Sequence, residues 1–150
     1  MSTTNAIAFH YIDVAFAFRS RTELKRFVIA LFKKEGRALD HINYIFCTDE
    51  YLLQLNQDYL KHDTYTDIIT FELSPKGEPV LSDIFISIDR VKENASQLGF
   101  SFQRELHRVI FHGALHLCGY KDKTRSDSQT MRAMEDKYLA KYFVPRGTKR

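Results

Sequence analysis

The sequence predicts an α+β fold, a small mixed four-stranded sheet packed with about five helices. Three observations carry this. Hydrophobic periodicity switches between strict alternation and a helical repeat, giving the order β-α-β-α-β-β-α-α-α along 150 residues. The link between the last two strands is short and broken by Pro75, Gly77 and Pro79, which reads as an antiparallel hairpin. At 44% hydrophobic, the chain supports one sizeable core, and residues 1–150 are read as a single domain.

The first strand is placed near Ile7 to Val14, in a stretch rich in aromatic and β-branched residues. From Thr22 to Lys34 the period changes. Leu24, Phe27, Val28, Leu31 and Phe32 form a buried stripe, and Arg26 and Lys33 lie on the solvated face. Gly36 ends this helix. Ile42, Tyr44 and Phe46 alternate with polar or smaller neighbours and make the second strand. Thr48 or Asp49 offers an N-cap to a second helix, with Leu52, Leu55 and Tyr59 inward. Residues 63–71 read as a loop feeding a third strand. A fourth runs from about Ser82 to Ile88, with Ile84, Ile86 and Ile88 on one face and Phe85 and Ser87 on the other.

A short helix over 89–98 ends at Gly99, and a long one follows from about Ser101 to Cys118. Leu106, Val109, Ile110, Gly113 and Leu117 share one face of it. Ser126-Asp127-Ser128-Gln129 has the form of a capping box, with Ser126 as N-cap and Gln129 at N3. The closing helix then turns Met131, Met134, Tyr138 and Tyr142 into the core.

The net charge of +3 is compatible with a nucleic-acid partner without specifying one. No apolar run approaches the ~20 residues of a membrane span, and the N-terminus lacks the charged-then-apolar order of a signal peptide. No membrane association and a cytoplasmic location are therefore expected. Cys47 and Cys118 are too few for a disulfide framework, and reduced thiols suit that compartment. Cys118 points away from His116 on a helix and is assigned to packing. The basic tail over 145–150 is expected to be disordered.

The chemistry is sought in His112-Gly113-Ala114-Leu115-His116-Leu117-Cys118-Gly119-Tyr120-Lys121-Asp122. Two histidines four apart on a helix project from one face, one turn above the other, and can reach one ion. Gly119 can end the helix in a left-handed conformation and turn the chain back, so that Asp122 returns to the same ion. Two His and one carboxylate leave a position for water, the pattern of a catalytic zinc site. The expectation is one Zn²⁺, or another divalent ion, per chain at His112, His116 and Asp122. Two alternatives stand beside it: an ordinary half-buried histidine pair, or an ion with only two protein ligands and Asp122 on the surface. Zinc peptidases of this spacing carry Glu after the first His as general base; here that position is Gly113. Glu105 lies about 10 Å along the axis from His112 at ~1.5 Å per residue, which excludes it as a direct ligand and leaves it to orient a ligand or form a salt bridge. Arg108, one turn before His112, either meets a phosphate or pairs with Glu105.

This run resembles the His-Gly-x-Leu-His-Leu-x-Gly-Tyr-Asp-His signature of the YbeY family of bacterial metal-dependent endoribonucleases. Lys121 stands at the family's Asp and Asp122 at its third His. Leu55-Asn56-Gln57-Asp58-Tyr59-Leu60, Thr66-Asp67-Ile68-Ile69-Thr70-Phe71 and Ser82-Asp83-Ile84 are similar to three further family motifs, with Leu60 at the position of a family arginine assigned to RNA handling and Lys61 beside it. The resemblance implies a zincin-like metal site on a central helix and the loop after it, with activity on single-stranded RNA. It also implies a role in maturing the 3′ end of small-subunit ribosomal RNA and in ribosome quality control. Ribosomal RNA and the ribosome or its small-subunit proteins are the implied partners. In that setting Arg108, Lys121, Lys123 and Arg125 are candidate phosphate contacts. Tyr120 either stacks on a base or closes the turn as a buried residue. Two competing readings remain: a metallohydrolase acting on peptides or small esters, and a ribosome-assembly factor with a structural ion and a fourth ligand from Asp127 or Glu135.

Overall fold

The computed structural model describes residues 4–16, 18–60 and 66–144. The elements run β1 (Ile7–Tyr11), α1 (Arg21–Lys34), β2 (Leu39–Cys47), α2 (Asp49–Tyr59), β3 (Ile68–Glu72), β4 (Val80–Ser87), α3 (Ile88–Leu98), α4 (Phe102–Leu117) and α5 (Arg125–Tyr142). This is the expected α+β order. The sheet is mixed, with strand order β1-β2-β4-β3. β1 and β4 both pair parallel to β2, and β3 pairs antiparallel to β4 as the expected hairpin.

The two central strands carry the apolar alternation that sets the layers. Ile42, Tyr44, Phe46, Ile84 and Ile86 are fully buried on the face covered by α1, α4 and α5. Cys47, Ile69 and Phe85 face the other way, beneath α2 and its Leu52. α4 is the most enclosed helix, with ten buried residues. It is pinned to the sheet by the Tyr44 hydroxyl, which donates to the Ile110 carbonyl at 3.1 Å. Gly113 is where helix and sheet come closest. A Cβ there would lie 3.0 Å from Ile68 Cδ1 and 3.2 Å from Ile84 Cδ1, so both side chains would have to give by a few tenths of an ångström. Met131 and Tyr138 of α5 are buried, and Met134 and Tyr142 pack against the same core.

Several boundaries differ from expectation for local reasons. β1 stops at Tyr11 rather than Val14, because Asp13 adopts a left-handed backbone with φ 57°. Ile88 opens α3 instead of ending β4, with Ser87 as N-cap. Tyr59 is not inward: it is 67% exposed, and the buried stripe of α2 is Leu52 and Asn56. Thr48 is the N-cap of α2. The α5 capping box sits two residues earlier than Ser126 and Gln129. Thr124 accepts from the Asp127 N–H at 3.0 Å, and Asp127 accepts from the Thr124 N–H at 3.3 Å. The carboxylate at N3 suits the positive helix start better than an amide would. Lys61, the loop start at 63–65 and the basic tail at 145–150 lie outside the described residues.

Candidate metal centre

α4 ends as its glycine demands. Gly119 has φ 111°, its N–H donates to the His116 carbonyl at 3.0 Å, and the Tyr120 N–H donates to the Leu115 carbonyl at 3.1 Å. This double bond pattern closes the last turn and reverses the chain. Asp122 is thereby returned toward the helix, and its Oδ2 lies 4.0 Å from His112 Nε2. Its other oxygen accepts a hydrogen bond from Ser128 Oγ at 2.7 Å, so the first turn of α5 fixes how the carboxylate faces.

The opposite nitrogen of His112 is held from the core side. Nδ1 donates to Glu135 Oε2 at 2.6 Å. Glu135 is 2% exposed, and its other oxygen accepts from Arg108 NH1 at 3.0 Å. Burial pushes the Glu135 carboxyl up, but the hydrogen bond from His112 and the charge of Arg108 outweigh it, so the group is held below its ordinary value. A carboxylate on Nδ1 leaves the Nε2 lone pair directed outward, toward Asp122.

Arg108 takes the pairing role. Its Nε and NH2 donate to the two oxygens of fully buried Glu105, at 2.9 and 2.6 Å, and NH2 also lies 3.9 Å from Asp67. Burial works against its charge, yet the hydrogen bonds to Glu105 and the charge of Glu135 hold the guanidinium above its ordinary range. Burial likewise raises Asp67, with Arg108 opposing. Glu105 is thus the salt-bridge partner expected, on a bridge that supports His112 through Glu135.

His116, one turn beyond His112, is 44% exposed, with Nε2 3.8 Å from Glu72 Oε2 at the end of β3. The structure therefore draws His112 and Asp122 toward each other and His116 toward Glu72. Among the described residues no three His, Cys, Asp or Glu side chains stand as one metal-binding group. The donor chemistry nevertheless fits a divalent ion. Two ligand atoms each about 2.1 Å from a tetrahedral zinc lie about 3.4 Å apart. The 4.0 Å between His112 Nε2 and Asp122 Oδ2 is close to that, and too long for a hydrogen bond between them.

Lys121 and Lys123, on the loop beside Asp122, and Arg125, which opens α5, are exposed. Tyr120 closes the turn: it packs against the core and its hydroxyl donates to Glu35 Oε1 at 2.9 Å. Tyr138 donates to the other oxygen of Glu35. Cys118 packs at the core edge, and burial raises its thiol to about 12. Asp127 is engaged in the helix cap and Glu135 with His112, so both acids considered as a fourth ligand have other work. Sequence reasoning did not find Glu135 as the orienting partner of His112, nor Ser128 as that of Asp122. Both are reached only by the return of α5 onto α4.

A family model described as endoribonuclease YbeY matches residues 8–143. The chain is 50% identical over 134 residues to the endoribonuclease YbeY of Cytophaga hutchinsonii, covering 89% of this chain and 94% of that one. It is 46% identical over 138 residues to that of Flavobacterium psychrophilum, covering 92% and 97%. The solution structure of TM1509 from Thermotoga maritima superposes with a TM-score of 0.63 at 26% identity, over 96% of this chain and 99% of that one. With its helix-borne histidines, its returning carboxylate and this likeness along nearly its whole length, the chain belongs to the endoribonuclease YbeY family.

Proposed function

We propose that this protein is a cytoplasmic, metal-dependent endoribonuclease that cuts single-stranded RNA in ribosomal RNA maturation, at the 3′ end of the small-subunit RNA, and in ribosome quality control. Its partners in this reading are ribosomal RNA and the ribosome or its small-subunit proteins. The observation that carries the chemical part is the two-sided setting of His112. Its inner nitrogen is fixed by a buried carboxylate, and its outer one is aimed at Asp122.

His112, His116 and Asp122 would hold one Zn²⁺ or a similar ion. Such an ion supplies Lewis-acid polarisation of a phosphoryl oxygen and activation of water. The chain's own residues do the rest. Glu135 locks the His112 tautomer, and Arg108 keeps Glu135 ionised in its buried place. Ser128 orients Asp122. Lys121, Lys123 and Arg125 offer positive charge to the RNA backbone where the chain leaves the helix.

Two features speak against a peptidase or a purely structural ion. The position of the peptidase base is Gly113, which carries no side chain and sits tightly against Ile68 and Ile84. Asp127 and Glu135, the two acids considered as a fourth ligand, are engaged elsewhere. The test incubates the protein with labelled single-stranded RNA and with casein, each with chelator and after zinc is restored. RNA cleavage lost with chelator and regained with zinc is expected. Chelator-sensitive proteolysis without RNA cleavage overturns the proposal.

A further inference from the structure

We infer that the cavity between the β3–β4 hairpin and the end of α4 is a phosphate subsite, which seats an RNA backbone phosphate adjacent to the one presented at His112 and His116. The inference rests on the RNA-cleaving function proposed above.

The cavity measures about 260 Å³ and shares a wall with the histidine site. Leu117, in its floor, directly follows His116. Glu72, on its rim, is the carboxylate 3.8 Å from His116 Nε2. A chain of RNA lying across the histidines therefore reaches this space with its next unit.

The donors lining it are held in place but not used up. The hairpin turn is closed by the Glu78 N–H on the Pro75 carbonyl at 3.1 Å, with Gly77 at φ 90°, which sets Lys76 at the tip. Arg37, just after α1, donates NH1 to the Glu78 carbonyl at 3.1 Å and so ties that turn to the body of the protein. Its remaining guanidinium nitrogens have no hydrogen bond or ion pair among the described residues. Ser74 Oγ accepts the Leu81 N–H at 3.1 Å, which leaves its own hydrogen to donate. Lys76 is exposed and has no ion pair among the described residues. Two cations and a hydroxyl thus face one carboxylate, Glu72, whose charge is directed at His116. The apolar floor of Val80, Leu81 and Leu117 limits solvent screening of that charge. Guanidinium, ammonium and hydroxyl donors around an anchored turn are the chemistry of phosphate recognition.

Binding and cleavage of a fluorescent single-stranded oligoribonucleotide test this with Lys76→Ala, Arg37→Gln and the double variant. The double variant is expected to raise Kd and KM about tenfold, as loss of hydrogen bonds to a charged group implies, with kcat held within about twofold. The slope of log K against log salt should become shallower by about 0.7 for each lost contact. Methylphosphonate substitution along the oligonucleotide should find one position beside the cut whose neutralisation weakens the parent protein and leaves the double variant unaffected. Lys76→Ala removes no contact within the fold, so it carries the test if Arg37→Gln lowers Tm. Parent-like Kd, KM and salt slope in Lys76→Ala and in the double variant, while the parent protein cuts RNA, overturn the subsite alone. A parent protein that binds and cuts no RNA overturns both this inference and the function on which it rests.

Discussion

The two nitrogens of His112 look into regions built in different ways. On the Nδ1 side, Glu135, Arg108 and Glu105 form a chain of charge-assisted hydrogen bonds between 2.6 and 3.0 Å, with Glu105 and Glu135 withdrawn from solvent. On the Nε2 side, Asp122 is 49% exposed, and the hydrogen bond that orients it, from Ser128, lies at the surface. The inner side is tightly constrained, because each buried charge there would be stranded if its partner moved away. The outer side is open to solvent and rests on a single surface hydrogen bond. The contrast assigns orientation to the buried charges and exchange with solvent and substrate to the open loop.

The sharpest way to break this contrast is Arg108→Ala. Glu105 would remain as a buried carboxylate without its cation, and Glu135 would keep only His112 and Arg132, whose Nε lies 3.8 Å away. Removing one partner of a buried ion pair costs about 3–5 kcal/mol. Urea unfolding followed by circular dichroism should show a midpoint lowered accordingly, with an unchanged slope. A loss below about 1 kcal/mol, the size of an exposed pair, would mean that the inner side is not the tightly constrained one.

How much of this was legible depends on the distance along the chain over which each contact is written. The α4 stripe, the His112–His116 spacing and the Glu105–Arg108 pair are local repeats, and they stand where the sequence puts them. The Gly119 turn is equally local. The α5 cap failed because two overlapping hydroxyl-to-polar patterns compete, and Thr124 with the carboxylate of Asp127 prevails over Ser126 with the amide of Gln129. Tyr59 failed because a buried polar residue, Asn56, occupies the inward position that hydrophobicity alone gives to its neighbours. Glu135 is 23 residues from His112, and no spacing rule joins them. Its role appears only when α5 folds back onto α4, a tertiary fact with no local signature. Glu72 reaches His116 in the same way, through the sheet.

A second substitution sharpens the comparison within the ligand set. Glu135→Gln keeps an acceptor for His112 Nδ1 but removes the charge that orients the ring and pairs Arg108. Loss of such a supporting carboxylate lowers metal affinity about 10- to 100-fold. Competitive zinc titration against a chromophoric chelator reads this directly, and circular dichroism confirms the fold. Unchanged affinity would show that the buried carboxylate serves the fold and not the ligand.

The smallest expected effect tests the outer side on the same scale. Ser128→Ala removes the hydroxyl that donates to Asp122 Oδ1 at 2.7 Å. Asp122 loses one orienting contact but keeps its charge, its backbone position after the Gly119 turn and access to water as a replacement donor. An exposed hydrogen bond of this kind is worth about 0.5–1.5 kcal/mol, and solvent substitution pushes it to the lower end. Zinc affinity should fall by about two- to fivefold, well short of Glu135→Gln, and Tm should not move because no buried group is left unpaired. Asp122→Ala supplies the scale, since it removes the carboxylate itself and should weaken binding far more than either. If Ser128→Ala matches Glu135→Gln in the same titration, the outer carboxylate is as tightly positioned as the inner one, and the division between a constrained and an open side of His112 does not hold.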